Sequence, residues 1–131
     1  ENIHFLPPIP KVQMPGALAA ADACIAILKP IEMYRTVYPN KVFDYMAAGK
    51  AVLLAIGGVI QQVIEEAQGG LAVEPGNPQA LANAIQALAN DPDLTRRMGQ
   101  NARQHLAAHF SRAALADRLA AVIEQLHAAK R

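Results

Sequence analysis

A second cysteine is missing, and its absence removes two classes of protein at once. Cys24 stands alone among 131 residues, so no internal disulfide can close and no zinc site can be built from paired thiolates. Charge is scarce as well. Charged residues make up 18% and hydrophobic ones 53%, whereas about a quarter of an average protein is charged, and this balance argues against disorder. Twelve Lys and Arg against eleven Asp and Glu leave a net charge of +1, without the basic excess that nucleic-acid binding needs. No apolar run approaches the roughly 20 residues that span a bilayer. The chain opens at Glu1 without an initiator Met or a charged-then-apolar leader and runs at once into Ile3-His4-Phe5-Leu6, so a fragment of a longer protein is expected. Secreted disulfide scaffolds, zinc fingers and integral membrane proteins are excluded. One domain, residues 1–131, with room for a sizeable core, is what the length allows.

The pattern along the chain is that of an α/β protein. Ile3–Leu6 is a short apolar run stopped by Pro7, Pro8 and Pro10, which predicts a strand and then a loop. Met14, Leu18 and Ala21 recur at helical spacing. Ala23–Leu28 (ACIAIL) is apolar at successive positions, the mark of a strand covered on both faces. Pro39 can open a helix through Ala48 that Gly49 ends as a left-handed cap. Ala51–Ile56 predicts the next buried strand, Gly57-Gly58 a turn, and Val59–Ala67 a helix with Val59, Val63 and Ile64 inward, stopped by Gly69-Gly70. Leu71–Val73 is the last short strand. From residue 77 onward the chain reads as a helical tail. Asn77, Asp91 and Ser111 each stand at a helix start as caps, with Pro78 and Pro92 following the first two. Leu81, Ile85 and Leu88 form one apolar stripe, Leu94, Met98, Ala102 and Leu106 a second, and Leu115, Leu119, Val122 and Leu126 a third. The order β-α-β-α-β-α-β followed by helices predicts a partial Rossmann-like parallel sheet of about four strands with helices on both faces.

In open parallel sheets, ligands sit beyond the carboxyl ends of the strands. Two such places carry chemistry: residues 29–41, with Lys29, Glu32, Arg35, Thr36, Tyr38, Asn40 and Lys41, and the Gly57-Gly58 turn. A helix opening at Pro39 or Asn40 offers free N–H groups and a positive dipole end that suit phosphate. Arg35 and Lys41 can add charge-assisted bonds. Asn40 and Asp44 share a helix face, and an Asp there can accept from vicinal sugar hydroxyls. The plainer alternative is solvated loop cations and an Asp that merely complements the dipole. Other landmarks are weaker. No G-x-G-x-x-G occurs, Gly49-Lys50 lacks the rest of a P-loop, and His105 and His109 are four apart without the Glu of a zinc protease. Cys24 reads as packing in a buried strand. No Ser/His/Asp arrangement has any spacing logic.

The blocks PNKVFDYMAAGKAVLLA, GGVIQQVIEEA and GGLAVEPGNPQALANAI, with ALAAADACIAIL before them and NDPDLTRRMGQNARQHLAAHFS after, resemble the carboxyl-terminal, donor-binding half of family-4 GT-B glycosyltransferases. TVYPNKVFDYMAAGK is similar to bacterial transferases that assemble surface polysaccharides, fucosamine transferases among them. The resemblance implies a nucleotide-sugar donor, UDP-linked, no metal or other cofactor, and transfer to a polysaccharide or lipid-linked acceptor. It implies donor-binding roles for Arg35, Thr36, Val37, Tyr38, Asn40, Lys41, Asp44, Gly57 and Gly58. Of the family's two acidic positions eight apart, the second, which meets the ribose, falls on Asp44, and the first, which meets the sugar, on Thr36. In the GGxPE pattern Gly57 and Gly58 match, while Ile60 replaces Pro and Gln61 replaces Glu. The acceptor-binding amino-terminal domain and the first β-α units of the donor domain are not in this sequence, so the fragment alone is expected to be inactive. An uncovered sheet edge and the stripe of the last helix are expected surfaces for self-association, and a cytoplasmic place, peripheral at the membrane, is expected for the parent enzyme. The alternative is a stand-alone α/β nucleotide-binding or oligomerising module without transfer activity.

Overall fold

A computed structural model describes residues 2–129. Three parallel strands, β1 (Ala23–Ile27), β2 (Ala51–Ala55) and β3 (Gly70–Ala72), lie in that order, with β2 in the middle. Ala23 stands opposite Ala51 and Val52 opposite Gly70. The helices are α1 (Met14–Ala20), α2 (Asn40–Ala47), α3 (Val59–Ala67), α4 (Pro78–Asn90), α5 (Pro92–His109) and α6 (Arg112–Ala129), with short 3-10 turns at Lys11–Gln13 and Glu32–Thr36.

β2 is buried at every position, so its unbroken apolar run is explained by cover on both sides. On one side Val42 and Met46 of α2, Ile60, Val63 and Ile64 of α3 and Ala102 of α5 pack on Val52, Leu54 and Ile56. On the other, Ala84 and Leu88 of α4 pack on Ala51 and Leu53. The three expected caps are all present. Asn77 Oδ1 accepts from the N–H of Ala80 at 2.9 Å, Asp91 Oδ1 from that of Leu94 at 2.9 Å, and Ser111 Oγ from that of Ala114 at 3.2 Å. Thr95, the one buried polar side chain among the described residues, is satisfied by donating to Leu88 O at 2.8 Å.

Several expectations are corrected. Residues 3–6 form no strand and are exposed, because no strand lies beside them to complete a ladder, and the sheet has three strands instead of about four. β1 is covered on one face only: Cys24 and Ala26 are buried, while Ile25 and Ile27 on the opposite face are 41% and 49% exposed. Pro39 is extended (ψ 122) and precedes α2 instead of forming its first turn. α3 ends at Gln68 in the left-handed conformation, which leaves Gly70 free to begin β3. Ile85 is 41% exposed, outside the α4 stripe that packs. α6 buries no residue, so its leucines keep helical phase without a partner among the described residues.

Candidate functional site

The two segments singled out in the sequence meet beyond the carboxyl ends of the strands. Gly58 makes the meeting possible. Its backbone (φ 86, ψ −143) is one that only glycine adopts readily, and a Cβ there would stand 2.0 Å from the carbonyl oxygen of Arg35. The 3-10 turn Glu32–Thr36 is thus laid directly on the β2–α3 corner. Between them lies a cavity of about 440 Å³ lined by Lys29, Glu32, Tyr34 and Arg35 from the β1 side, Gly57, Gly58 and Gln61 from the corner, and Val73 and Glu74 after β3. That volume is within the ordinary range for small-molecule sites, about 300–1,000 Å³.

Gly58 caps α3 with no side chain, so the first N–H groups of that helix have no side-chain acceptor and face the corner. Gln61 Nε2 donates to Glu65 Oε1 at 2.7 Å. Arg35 Nε lies 3.7 Å from a carboxylate oxygen of Glu32, a pair in which both side chains are largely exposed. Such a pair is held weakly and can be traded for a ligand.

The expected donor-binding residues divide into two groups. Arg35, Gly57 and Gly58 line the cavity. Thr36, Val37, Tyr38, Asn40, Lys41 and Asp44 lie along the next corner, where the chain enters α2. Thr36 Oγ1 turns back to donate to Met33 O at 3.1 Å. The Tyr38 ring lies against Phe43, with centroids 6.2 Å apart, and Phe43 in turn against Phe110 at 5.2 Å. Lys41 Nζ reaches Ile27 O at 3.5 Å, and Tyr45 Oη, one turn later, Ile25 O at 3.4 Å. In a parallel ladder alternate residues turn both backbone groups to the same side. Leu28 donates to Ala55 O, so the carbonyls of Ile25 and Ile27 face the free edge of β1. Lys41 and Tyr45 therefore cover that edge. Burial, then the charges of Cys24 and Asp44, raise the Tyr45 hydroxyl above its usual range, so it remains a donor. Asp44 is exposed, and its carboxylate takes no hydrogen bond or ion pair among the described residues.

Tyr34 and Glu74 line the cavity without having been singled out. Position after a strand, the signal that marks residues 29–41, also marks Glu74, which follows β3 by two residues. Gln61 stands out in the sequence only as a departure from a motif. Ile60, the other departure, is fully buried under the sheet, so an apolar side chain takes the place of a proline there. Lys50 proves structural: its Nζ donates to Ala19 O at the end of α1, 2.9 Å away. The Cys24 thiol is buried, and that burial raises it above its usual range, with Lys50 acting in the opposite direction. A larger hollow of about 790 Å³ at the amino ends of the strands, lined in part by Ile25, Lys50, Leu53 and Ile85, is the uncovered face of β1. No group of three His, Cys, Asp or Glu among the described residues could hold a metal ion.

Residues 1–105 match the family described as Glycosyl transferases group 1. The chain belongs to that family. A D-inositol 3-phosphate glycosyltransferase of Corynebacterium kroppenstedtii is 30% identical over 122 residues, which are 93% of this chain and 26% of that protein. An alpha-D-kanosaminyltransferase of Streptomyces kanamyceticus is 33% identical over 67 residues, 51% of this chain and 17% of that one. Among solved structures, the sucrose-phosphate synthase of Thermosynechococcus elongatus superposes with a TM-score of 0.72 at 31% identity, over 86% of this chain and 27% of its own. Anabaena Alr3699/HepE, solved in complex with UDP, shares the fold at the same TM-score of 0.72 with 22% identity. The group 1 transferase chain thus has a Rossmann-like, GT-B-like α/β architecture and spans about a quarter of the curated relatives it matches.

Proposed function

We propose that this group 1 chain is the donor-binding part of a glycosyltransferase that moves a sugar from a UDP-linked donor to a polysaccharide or lipid-linked acceptor, as in the bacterial surface-polysaccharide transferases it resembles. The observation that carries the reading is the seating of the Glu32–Thr36 turn on Gly58, which makes a small-molecule cavity at the carboxyl ends of the strands in a chain of this family. The complex of the fold relative with UDP supports the choice of nucleotide.

In this reading the unpaired Asp44 carboxylate accepts from the ribose hydroxyls. The backbone N–H groups that open α2, with Asn40 and Lys41 beside them, take the diphosphate. Lys41 is held on the Ile27 carbonyl by one long bond and leaves it at little cost. The chain contributes orientation and fixed dipoles that stabilise negative charge on the departing diphosphate. No metal is required, and the 131-residue chain alone transfers no sugar. The tail from residue 91, with seven Lys or Arg against four Asp or Glu, suits a peripheral place at an anionic cytoplasmic membrane face; no described helix is long and apolar enough to cross a membrane.

Calorimetric titration of the chain with UDP tests the reading. Binding that is lost in Asp44→Ala and weakened in Lys41→Met supports it. Binding unchanged in Asp44→Ala removes the ribose assignment, and no heat up to millimolar UDP contradicts the donor-binding role.

A further inference from the structure

We propose that Glu32 and Gln61, and not Thr36, hold the sugar hydroxyls of the donor, a proposal that rests on the donor-binding reading above. Thr36 occupies the motif position that would face the sugar, yet its hydroxyl proton is spent on Met33 O at 3.1 Å, and it lies outside the cavity lining. Glu32, at the start of the same 3-10 turn, does line the cavity. Among the described residues its carboxylate is held only by Arg35 Nε at 3.7 Å, with the two side chains 88% and 63% exposed, so exchanging that partner for a ligand hydroxyl costs little.

Gln61 faces the same cavity with a defined polarity. A carboxylate can only accept, so the 2.7 Å bond to Glu65 fixes the Nε2 end of the Gln61 amide on Glu65. The carbonyl end, Oε1, is the one left over. It stands 3.8 Å from where a Cβ of Gly57 would lie, over the glycine corner that lines the cavity. Glu65 is therefore a positioning residue. It sets which end of the amide the cavity sees. The close contact between Gly58 and Arg35 then fixes the turn that carries Glu32 against the corner that carries Gln61. Two acceptors lining one cavity from its two sides match a ligand that brings hydroxyl donors, the chemistry of a hexose more than of a phosphate.

The test compares the affinities of UDP with those of UDP-glucose, UDP-galactose and UDP-N-acetylglucosamine for the chain. The best UDP-sugar should bind more tightly than UDP. Glu32→Ala and Gln61→Met should each abolish about a tenfold advantage, one hydrogen-bonded group's worth, and leave the affinity for UDP unchanged. Glu65→Ala should weaken the advantage in part, and Glu65→Gln should restore most of it by still accepting from Gln61. Thr36→Val should change neither affinity. Circular dichroism melts on these surface variants check that the fold is kept. A sugar advantage that survives Glu32→Ala and Gln61→Met, or falls in Thr36→Val, overturns the proposal while the donor-binding reading stands. So does UDP binding with no UDP-sugar tighter than UDP. If neither UDP nor any UDP-sugar binds, the donor-binding reading fails and takes this proposal with it.

Discussion

Two corners at the carboxyl end of the sheet are built in opposite ways. At the β2–α3 corner the backbone itself is the device: Gly58 adopts a glycine-only conformation, and the carbonyl of Arg35 fills the space where any side chain would begin. At the α2 corner the side chains do the work. Lys41 and Tyr45 reach sideways to the free edge of β1, and Asp44 is left without a partner among the described residues. One corner is fixed by sterics, and the other is held by long, exchangeable polar bonds. On the donor-binding reading proposed above, a site that closes on a nucleotide and releases it uses both kinds, a rigid wall and groups whose present partners are cheap to leave.

That contrast is open to direct attack. Gly58→Ala should have the largest effect, a loss of about 3 kcal/mol or more in urea unfolding, because backbone strain and a clash with a backbone oxygen add. A loss within about 0.5 kcal/mol would mean that the corner is not locked. Tyr45→Phe should cost well under that, about 0.5–1 kcal/mol, the net value of one exposed-edge hydrogen bond. A cost comparable to that of Gly58→Ala would erase the distinction between the corners. Asp44→Asn, by contrast, should leave stability within about 0.5 kcal/mol of the parent, as expected for an exposed side chain without partners.

A smaller pH effect comes from the region behind α2. His105 packs near Phe110, with ring centroids 6.0 Å apart, and near His109, at 4.5 Å. Desolvation first and the neighbouring His109 second lower its proton affinity from the ordinary 6.5, while Glu66 acts in the opposite direction. The unfolded chain then takes up the proton more readily than the folded one, so stability should decline as pH falls through the region below about 6.5. Melting curves between about pH 8 and pH 5 should show that decline, and His105→Gln should reduce it.

How much of this was legible in the sequence depended on whether the cause was local. Asn77, Asp91 and Ser111 act within three residues of themselves, and each was readable as a cap because its partner N–H lies next door in the chain. β2 was readable because cover on both faces leaves an unbroken apolar run. β1 has a nearly identical run, yet only one of its faces is covered. Composition reports what a strand is fit for, and packing decides what covers it. Ile3–Leu6 failed for a related reason, since a strand needs a neighbour that local pattern cannot supply. At the candidate site, position after a strand points to the two segments that line or adjoin the cavity, but it cannot tell which side chains look inward. The turn of Thr36 back to Met33, the reach of Lys41 to Ile27 and the fixed amide of Gln61 are three-dimensional facts with no one-letter signature.

In the proposed reading the rigid corner and the exchangeable corner together form one donor site. A proton–nitrogen NMR titration of the chain with UDP and then a UDP-sugar tests it most directly. Shifts should be confined to residues 35–45 and the Gly57-Gly58 turn on adding UDP, should be lost in Asp44→Ala, and should extend to Glu32 and Gln61 with the UDP-sugar. Shifts at only one corner, or at neither up to millimolar ligand, would contradict it.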